Sequence, residues 1–296
     1  MTRIAFIGLG NMGGPMAANL AAAGFAVAGF DLVPFLCEQA TRGGIAIAAS
    51  ARAAVEAADA VVTMLPAGAH VVATLRDVLP VAKPGTLFVD CSTIDIASAR
   101  AAHAMAQDAG MASVDAPVSG GTGGARAATL TFMCGGAASA LAAARPLLET
   151  MGRRIVACGE AGAGQAAKIC NNMILGATMV ATAEAFVLAE KLGLSHQALF
   201  DVASTSSGQS WSLTTYCPVP GPVPSSPANT GYKPGFAAAL MLKDLKLSQQ
   251  AALGAGAATP MGALAAQLYA LYVADGHAGD DFSGIVNMLR GQGDAG

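Results

Sequence analysis

Charge is scarce in this chain. Asp, Glu, Lys and Arg make up only 12% of its 296 residues, the net charge is −3, and no basic block occurs. A nucleic-acid partner, which needs clustered Lys and Arg, is therefore not expected. Cysteine is scattered: Cys37, Cys91, Cys134, Cys158, Cys170 and Cys217 include no C-x-x-C pair. Metal-ligand spacing is missing, so no metal is expected, and the thiols are expected reduced and mostly buried in a cytoplasmic protein. Aromatic residues reach only 5%, with a single tryptophan, Trp211. Hydrophobic residues reach 54%. So much interior with so little charged surface favours a homo-oligomer, and the length suits two domains or one large one.

Unbroken apolar segments are few as well. Residues 247–274 carry no charge and are long enough to span a bilayer. Gly254, Gly256, Pro260 and Gly262 split them into two helices of ordinary length, expected to lie in a protein interior with no membrane role. The uncharged stretch between Arg3 and Asp31 is broken by Gly8, Gly10, Gly13, Gly14 and Pro15, which argues against a signal-peptide core.

What is present starts with a strand-like run, Arg3-Ile4-Ala5-Phe6-Ile7. It leads into Gly8-Leu9-Gly10-Asn11-Met12-Gly13, a helix-forming run from Met16 to Ala23, and an acid, Asp31. Strand, G-x-G-x-x-G turn, helix and acid occur in the order a dinucleotide site needs. The first glycine makes the turn, the second lets the backbone approach the pyrophosphate, the third lets helix and strand pack, and the helix N-terminus faces the phosphates. Asp31 can accept hydrogen bonds from ribose hydroxyls and would repel a 2′-phosphate. Leu32-Val33-Pro34 follow it without Arg or Lys, so the cofactor expected is NAD rather than NADP. A turn cap is the alternative role of Asp31.

Residues 4–7, 27–30, 60–64, 87–89 and 113–118 read as strands, alternating with helices over 16–23, 35–41, 51–57, 70–78 and 96–109. That alternation predicts an α/β Rossmann-type domain with a parallel sheet. Strands over 130–134 and 155–158, with a helix over 138–151, complete residues 1–162. Residues 163–296 read as an all-α domain for substrate and oligomerisation. Helix 165–192 opens it, helices resume at Ala237, and the Pro/Gly/Ser/Asn-rich stretch 218–234 reads as a covering loop. The active site is expected in the cleft between the domains, at the carboxyl ends of the strands.

Several residues there can carry chemistry. Thr93, after the strand ending near Asp90, can bond the ribose or nicotinamide, or cap the next helix. Leu65 and Pro66 can line the adenosine side. Ser119-Gly120-Gly121 offers a hydroxyl and bare backbone N–H groups to a carboxylate. Lys168 and Asn172 lie four apart, on one face of an otherwise uncharged helix start. A desolvated lysine can give a proton to a carbonyl and take one from an alcohol; a side chain snorkelling to water is the alternative. Lys243 can reach the nicotinamide end, and Asp244 can hold Lys168 or Lys243, unless the two are an exposed ion pair. Trp211 can wall a substrate pocket or fill a core.

Taken together, Phe6 to Gly13, Asp115 to Gly121, Gly164 to Asn172 and Lys243-Asp244-Leu245 resemble the β-hydroxyacid dehydrogenase family over essentially the whole chain. Trp211, Tyr216 to Gly221 and Asp281-Phe282-Ser283 resemble its hydroxyisobutyrate branch. The resemblance implies reversible, NAD-dependent oxidation of 3-hydroxyisobutyrate to methylmalonate semialdehyde in valine breakdown. Serine, glycerate or 3-hydroxypropionate as substrate, and a non-catalytic nucleotide-binding module, are the alternatives. It implies Lys168 as acid/base, with Ser119, Gly120, Gly121, Asn172, Trp211 and Asp244 at the substrate. Gly8, Leu9, Gly10, Asn11, Met12, Gly13, Asp31, Leu65, Pro66, His70, Thr93 and Lys243 are implied at the cofactor, and assembly as a homodimer or homotetramer through the helical domain. Two departures stand out. Ala128 occupies a position where glycine is usual, and Cys217 replaces an Asn.

Overall fold

The computed structural model describes residues 2–291. The chain divides into two compact units, Met1–Lys168 and Ile169–Gly296. One nine-stranded sheet carries the first unit: β1 (Arg3–Ile7), β2 (Ala26–Phe30), β3 (Ala46–Ile47), β4 (Ala60–Thr63), β5 (Leu87–Asp90), β6 (Ser113–Asp115), β7 (Val118–Ser119), β8 (Leu130–Gly135) and β9 (Gly152–Gly159). The strand order is β3-β2-β1-β4-β5-β6-β8-β7, with β9 also on β8. From β3 to β6 every pairing is parallel. The connections run through α1 (Gly13–Ala22), α2 (Pro34–Arg42), α3 (Ala51–Val55), α4 (Gly68–Val78) and α5 (Ile96–Asp108). Strand order reverses between β1 and β4, which creates the crevice where open α/β sheets bind ligands.

The apolar strands are continuous because the sheet is buried on both faces. On β1, Ile4 and Phe6 enter one core while Ala5 and Ile7 enter the other. Val62 and Val61 of β4 divide in the same way. The parallel sheet expected from the sequence is modified beyond β6, since β8 runs antiparallel to β6 and β7. The single strand expected over 113–118 is two short ones. Pro117, which has no N–H for a ladder, lies between them. Between β7 and β8 lies α6 (Gly121–Arg126), hidden in the sequence by three glycines with poor helix propensity. α7 (Ala138–Met151) precedes β9.

α8 (Ala163–Lys191) begins in the first unit and runs on into the second, followed by α9 (His196–Ala203), α10 (Trp211–Thr214), α11 (Ala238–Ala255), α12 (Pro260–Tyr272) and α13 (Ile285–Arg290). Among the described residues the second unit has no strand. Phe186, Tyr269, Tyr272 and Phe282 are fully buried in its core. Residues 247–274 fold as the end of α11 and α12, separated by a left-handed turn at Gly256 (φ 64°). The described helix long and apolar enough to cross a membrane is instead α8, 29 residues with mean hydropathy 1.5 in its most apolar window. Its Ile169, Met179, Ala183 and Phe186 are buried in protein.

The stretch 218–234 is more tied down than a covering loop. Val219 and Val223 enter the second core. Ser226 Oγ donates to the Cys217 carbonyl (2.6 Å), Asn229 Nδ2 to that of Val223 (2.8 Å) and Tyr232 Oη to that of Pro218 (3.0 Å). Cys217 is itself buried in this core. All six cysteines are free. Burial raises the thiols of Cys91 and Cys217 and pushes that of Cys134 up to about 12, so these three stay protonated.

Two strained features of the first unit have measurable consequences. Ala128, after α6, has φ 53°, a left-handed backbone that penalises Cβ. Ala128→Gly is expected to stabilise the fold by about 0.5–1 kcal/mol, read as an increase in the urea midpoint at unchanged m-value. Asp90, at the end of β5, is half-buried, with its carboxyl Oδ2 enclosed. Its Oδ1 accepts from Thr63 Oγ1 (2.7 Å) and Ser92 Oγ (2.6 Å), while Oδ2 has no hydrogen-bond partner among the described residues. Burial, opposed by those bonds, pushes its carboxyl up to about 6. The folded state thus holds this proton more tightly than the unfolded chain. The resulting stabilisation is full below the unfolded value near 4 and is lost as pH rises through about 6. Asp90→Asn removes that titration. The stability of the variant relative to the parent should therefore rise by roughly 2–3 kcal/mol between pH 4 and pH 7; parallel pH profiles would contradict this assignment.

Candidate active site

The glycine turn after β1 has the geometry a dinucleotide needs. Gly8 has φ 97°, and a Cβ there would strike the backbone of Met64. One on Gly13 would strike the Gly8 carbonyl and the Phe6 ring. These two glycines are required by the chain's own packing. Gly10 is different, because a Cβ there would meet nothing within 4 Å. Its missing side chain leaves the backbone open to a ligand from outside. α1 follows with no side-chain cap at its N-terminus, so its dipole end faces this open turn. Asp31 Oδ2 accepts from the Leu9 N–H (2.7 Å) and Oδ1 from that of Val33 (2.9 Å). The acid thus holds the glycine turn against the end of β2, and each oxygen retains a lone pair for a ribose hydroxyl. Asp31 caps the turn after β2 and lies beside the glycine turn. These residues fit a dinucleotide.

The ends of β4 and β5 are joined. The Leu65 N–H donates to Ser92 Oγ (2.8 Å), which donates on to Asp90 Oδ1. Leu65, Pro66 and the segment of Thr93 are held side by side through Ser92. The cap of α5 is Asp95, whose Oδ1 accepts from the Ser98 N–H (2.7 Å), so capping is not the role of Thr93. His70 is exposed in the first turn of α4, another helix without a side-chain cap. Ser119 ends β7, and Gly120 (φ 136°) and Gly121 (φ 60°) turn into α6 with angles that side chains rarely adopt. This arc places the Ser119 hydroxyl and backbone N–H groups at the start of a helix.

Lys168 lies early in α8 and is only 7% exposed. Sequence reasoning missed the polar groups that hold the start of α8. Asp115 Oδ1 accepts from the Gly162 N–H (2.8 Å) and Oδ2 from that of Gln165 (2.9 Å). His103 Nε2 lies 2.9 Å from Asp115 Oδ1, and Ser113 Oγ 2.7 Å from His103 Nδ1. Gln165 is fully buried; its Nε2 donates to the Ser92 carbonyl (2.7 Å), and its Oε1 accepts from the Ile94 N–H (3.1 Å). The usable signal was the presence of polar side chains in a nearly uncharged stretch beside Lys168.

In the second unit, Asn172 and Asp244 are buried together, with Asn172 Nδ2 donating to Asp244 Oδ2 (2.5 Å). Lys243 Nζ lies 3.7 Å from Asp244 Oδ1. Burial of Asp244 overturns the reading of an exposed ion pair. Trp211 is 50% exposed, which removes the alternative of a core tryptophan. It stacks on Tyr216 (5.0 Å), which stacks on Phe282 (5.3 Å). Tyr216 Oη donates to Asp281 Oδ2 (2.8 Å), which also accepts from the N–H groups of Gly235 and Phe236. Asp281, a residue given no role from sequence, thus anchors the aromatic stack and the end of the 218–234 stretch. Among the described residues no group of three or more His, Cys, Asp or Glu could hold a metal.

Comparison with known proteins agrees with this geometry. Residues 3–159 match the model for the NAD-binding domain of 6-phosphogluconate dehydrogenase, and residues 162–289 that for the NAD-binding domain of NADP-dependent 3-hydroxyisobutyrate dehydrogenase. A probable 3-hydroxyisobutyrate dehydrogenase of Mycobacterium tuberculosis is 56% identical, covering 100% of both chains. An NAD-dependent L-serine dehydrogenase of Pseudomonas aeruginosa is 50% identical over 98% of each. The solved structure of the M. tuberculosis 3-hydroxyisobutyrate dehydrogenase with L-serine superposes with a TM-score of 0.95, covering 98% of this chain and 99% of that one. The chain therefore belongs to the 3-hydroxyisobutyrate dehydrogenase family of β-hydroxyacid dehydrogenases, NAD-dependent oxidoreductases with a Rossmann-type first domain and a helical second one.

Proposed function

We propose that this enzyme oxidises 3-hydroxyisobutyrate reversibly to methylmalonate semialdehyde in valine breakdown, with Lys168 as acid/base and NAD preferred over NADP. The observation that carries this reading is the buried Lys168, early in a helix whose first turn is bonded to the strand-end segment of Thr93. NAD, when bound, supplies the hydride acceptor. The glycine turn, Asp31, Leu65, Pro66, His70, Thr93 and Lys243 are the residues proposed to hold it. The Ser119-Gly120-Gly121 arc binds the substrate carboxylate, and Asn172, oriented by Asp244, holds the reacting oxygen or the carboxylate. Trp211, braced by Tyr216, walls off the remainder of the substrate. In oxidation the Lys168 amine takes the hydroxyl proton at the reacting oxygen; in reduction it returns it. L-serine is the second reading, favoured by the serine dehydrogenase relative and by the serine bound in the M. tuberculosis structure.

Initial rates of NADH formation with (S)-3-hydroxyisobutyrate, L-serine, glycerate and 3-hydroxypropionate, each with NAD and NADP, test the substrate and cofactor assignments. The highest kcat/KM is expected for hydroxyisobutyrate with NAD. A higher value for serine would transfer the assignment to serine, and faster turnover with NADP would refute the role given to Asp31. Lys168→Ala should lower kcat at least about a hundredfold, within the range general acid–base catalysis contributes, while leaving NADH binding nearly unchanged. Near-parental turnover in that variant would end the acid/base assignment.

We further propose assembly into a homodimer or homotetramer through the helical unit. Ile174, Leu188 and Leu192 on and just beyond α8, and Met261, Leu264 and Leu271 on α12, are all more than half exposed, and apolar surface of this extent marks a contact site. Light scattering should give at least twice the chain mass, and Ile174→Glu with Leu188→Glu should shift the population toward monomer. A parental chain that is monomeric at micromolar concentration would disprove it.

A further inference from the structure

Gln165 has no part in the chemistry proposed above, yet its side chain is bonded at both ends beside it. It is fully buried, and both ends of its amide are bonded to backbone: Nε2 to the Ser92 carbonyl at 2.7 Å and Oε1 to the Ile94 N–H at 3.1 Å. Those two groups flank Thr93, so one side chain grips the segment on either side of it. Ser92 in turn accepts the Leu65 N–H on its Oγ at 2.8 Å. The segments before Pro66 and around Thr93 thereby share one anchor.

The other end of Gln165 is equally fixed. Its N–H donates to Asp115 Oδ2, and the Gly162 N–H donates to Asp115 Oδ1. Asp115 thus satisfies two of the free N–H groups at the start of α8 and places a negative charge at the positive end of the helix dipole. Two glycines make this docking close. A Cβ on Gly164 would meet the Asp115 carbonyl at 2.7 Å, and one on Gly135 would meet the Ala163 nitrogen at 2.8 Å. Lys168 follows Gln165 by three residues, which places it less than one helical turn along α8.

We propose that Gln165 is a positioning residue for catalysis, clamping the Thr93 segment to the turn of α8 that carries Lys168 and so fixing the amine relative to the cofactor-holding backbone. This inference rests on the acid/base role of Lys168 and the cofactor role of Thr93. Its physical basis is that proton and hydride transfer both depend on sub-ångström placement, and a misplacement of about 1 Å costs on the order of a hundredfold in rate. Gln165 bonds the backbone on both sides of Thr93 from the same helical turn that carries Lys168.

Two variants test it in the full-length enzyme. Gln165→Met keeps the bulk and deletes both side-chain bonds. Its kcat should fall ten- to a hundredfold, with the NADH dissociation constant within about threefold of the parent. Gln165→Glu keeps the acceptor for Ile94 but can donate to Ser92 only when protonated, a form favoured by burial beside Asp90 and Asp115. Its kcat relative to the parent should therefore rise at least about tenfold from pH 9 to pH 6, a pH signature that a purely structural role would not produce. The inference fails if the Met variant turns over within threefold of the parent, or if the Glu-to-parent ratio is flat with pH. If the Met variant does not fold, the Glu ratio decides alone. Lys168→Ala run in parallel separates the two readings. An inactive lysine variant beside a fully active Met variant refutes only the role of Gln165, whereas an active lysine variant removes the acid/base reading and this inference with it.

Discussion

A carboxylate taken out of water costs several kcal/mol unless its lone pairs are filled, and Asp115 fills them with the groups whose position matters most. It accepts two N–H groups from the start of α8 and meets His103 from α5. This buried side chain joins the sheet to the start of the helix that carries Lys168. Removing it would leave two helical N–H groups without acceptors and a histidine without its partner, a cost well beyond that of an ordinary surface bond. The role proposed for Lys168 requires that α8 start at this point on the sheet.

The first unit also separates two uses of glycine. Gly8 and Gly13 are bare because the chain itself leaves no room for a Cβ, whereas Gly10 is bare with open space before it. A nucleotide site must pack tightly against its own sheet while staying open to pyrophosphate, and the turn after β1 divides these demands among three positions. Ala128 shows the converse. It keeps a left-handed φ without the residue that adopts it cheaply.

Polar groups in the second unit follow the same logic of satisfied burial. Asp281 accepts from Tyr216, Gly235, Phe236 and Ser283, and so holds a long irregular stretch against the aromatic stack beneath Trp211. Asp244 orients Asn172. Asn172 is held directly by a buried acid and Trp211 through Tyr216, which fixes their geometry before a ligand arrives. The exposed apolar residues of α8 and α12 are a separate layer outside this framework.

The sequence alone was enough for whatever depends on local spacing. The glycine turn, Asp31, the alternation of strands and helices, the turn from sheet to helices near residue 162 and the Lys168–Asn172 pair all arise from period, turn chemistry and the scarcity of charge. The antiparallel β8, the helix hidden in the glycines after Ser119 and the packed 218–234 stretch did not, because propensity and composition yield there to pairing and burial. Tertiary structure alone decided which distant polar groups meet. Asp115 with residues 162–165, Gln165 with Ser92 and Ile94, and Asp281 with Tyr216 are separated by 47 to 73 positions along the chain. The need to satisfy each buried polar atom acts through space, and no local pattern of residues encodes which partner will do so.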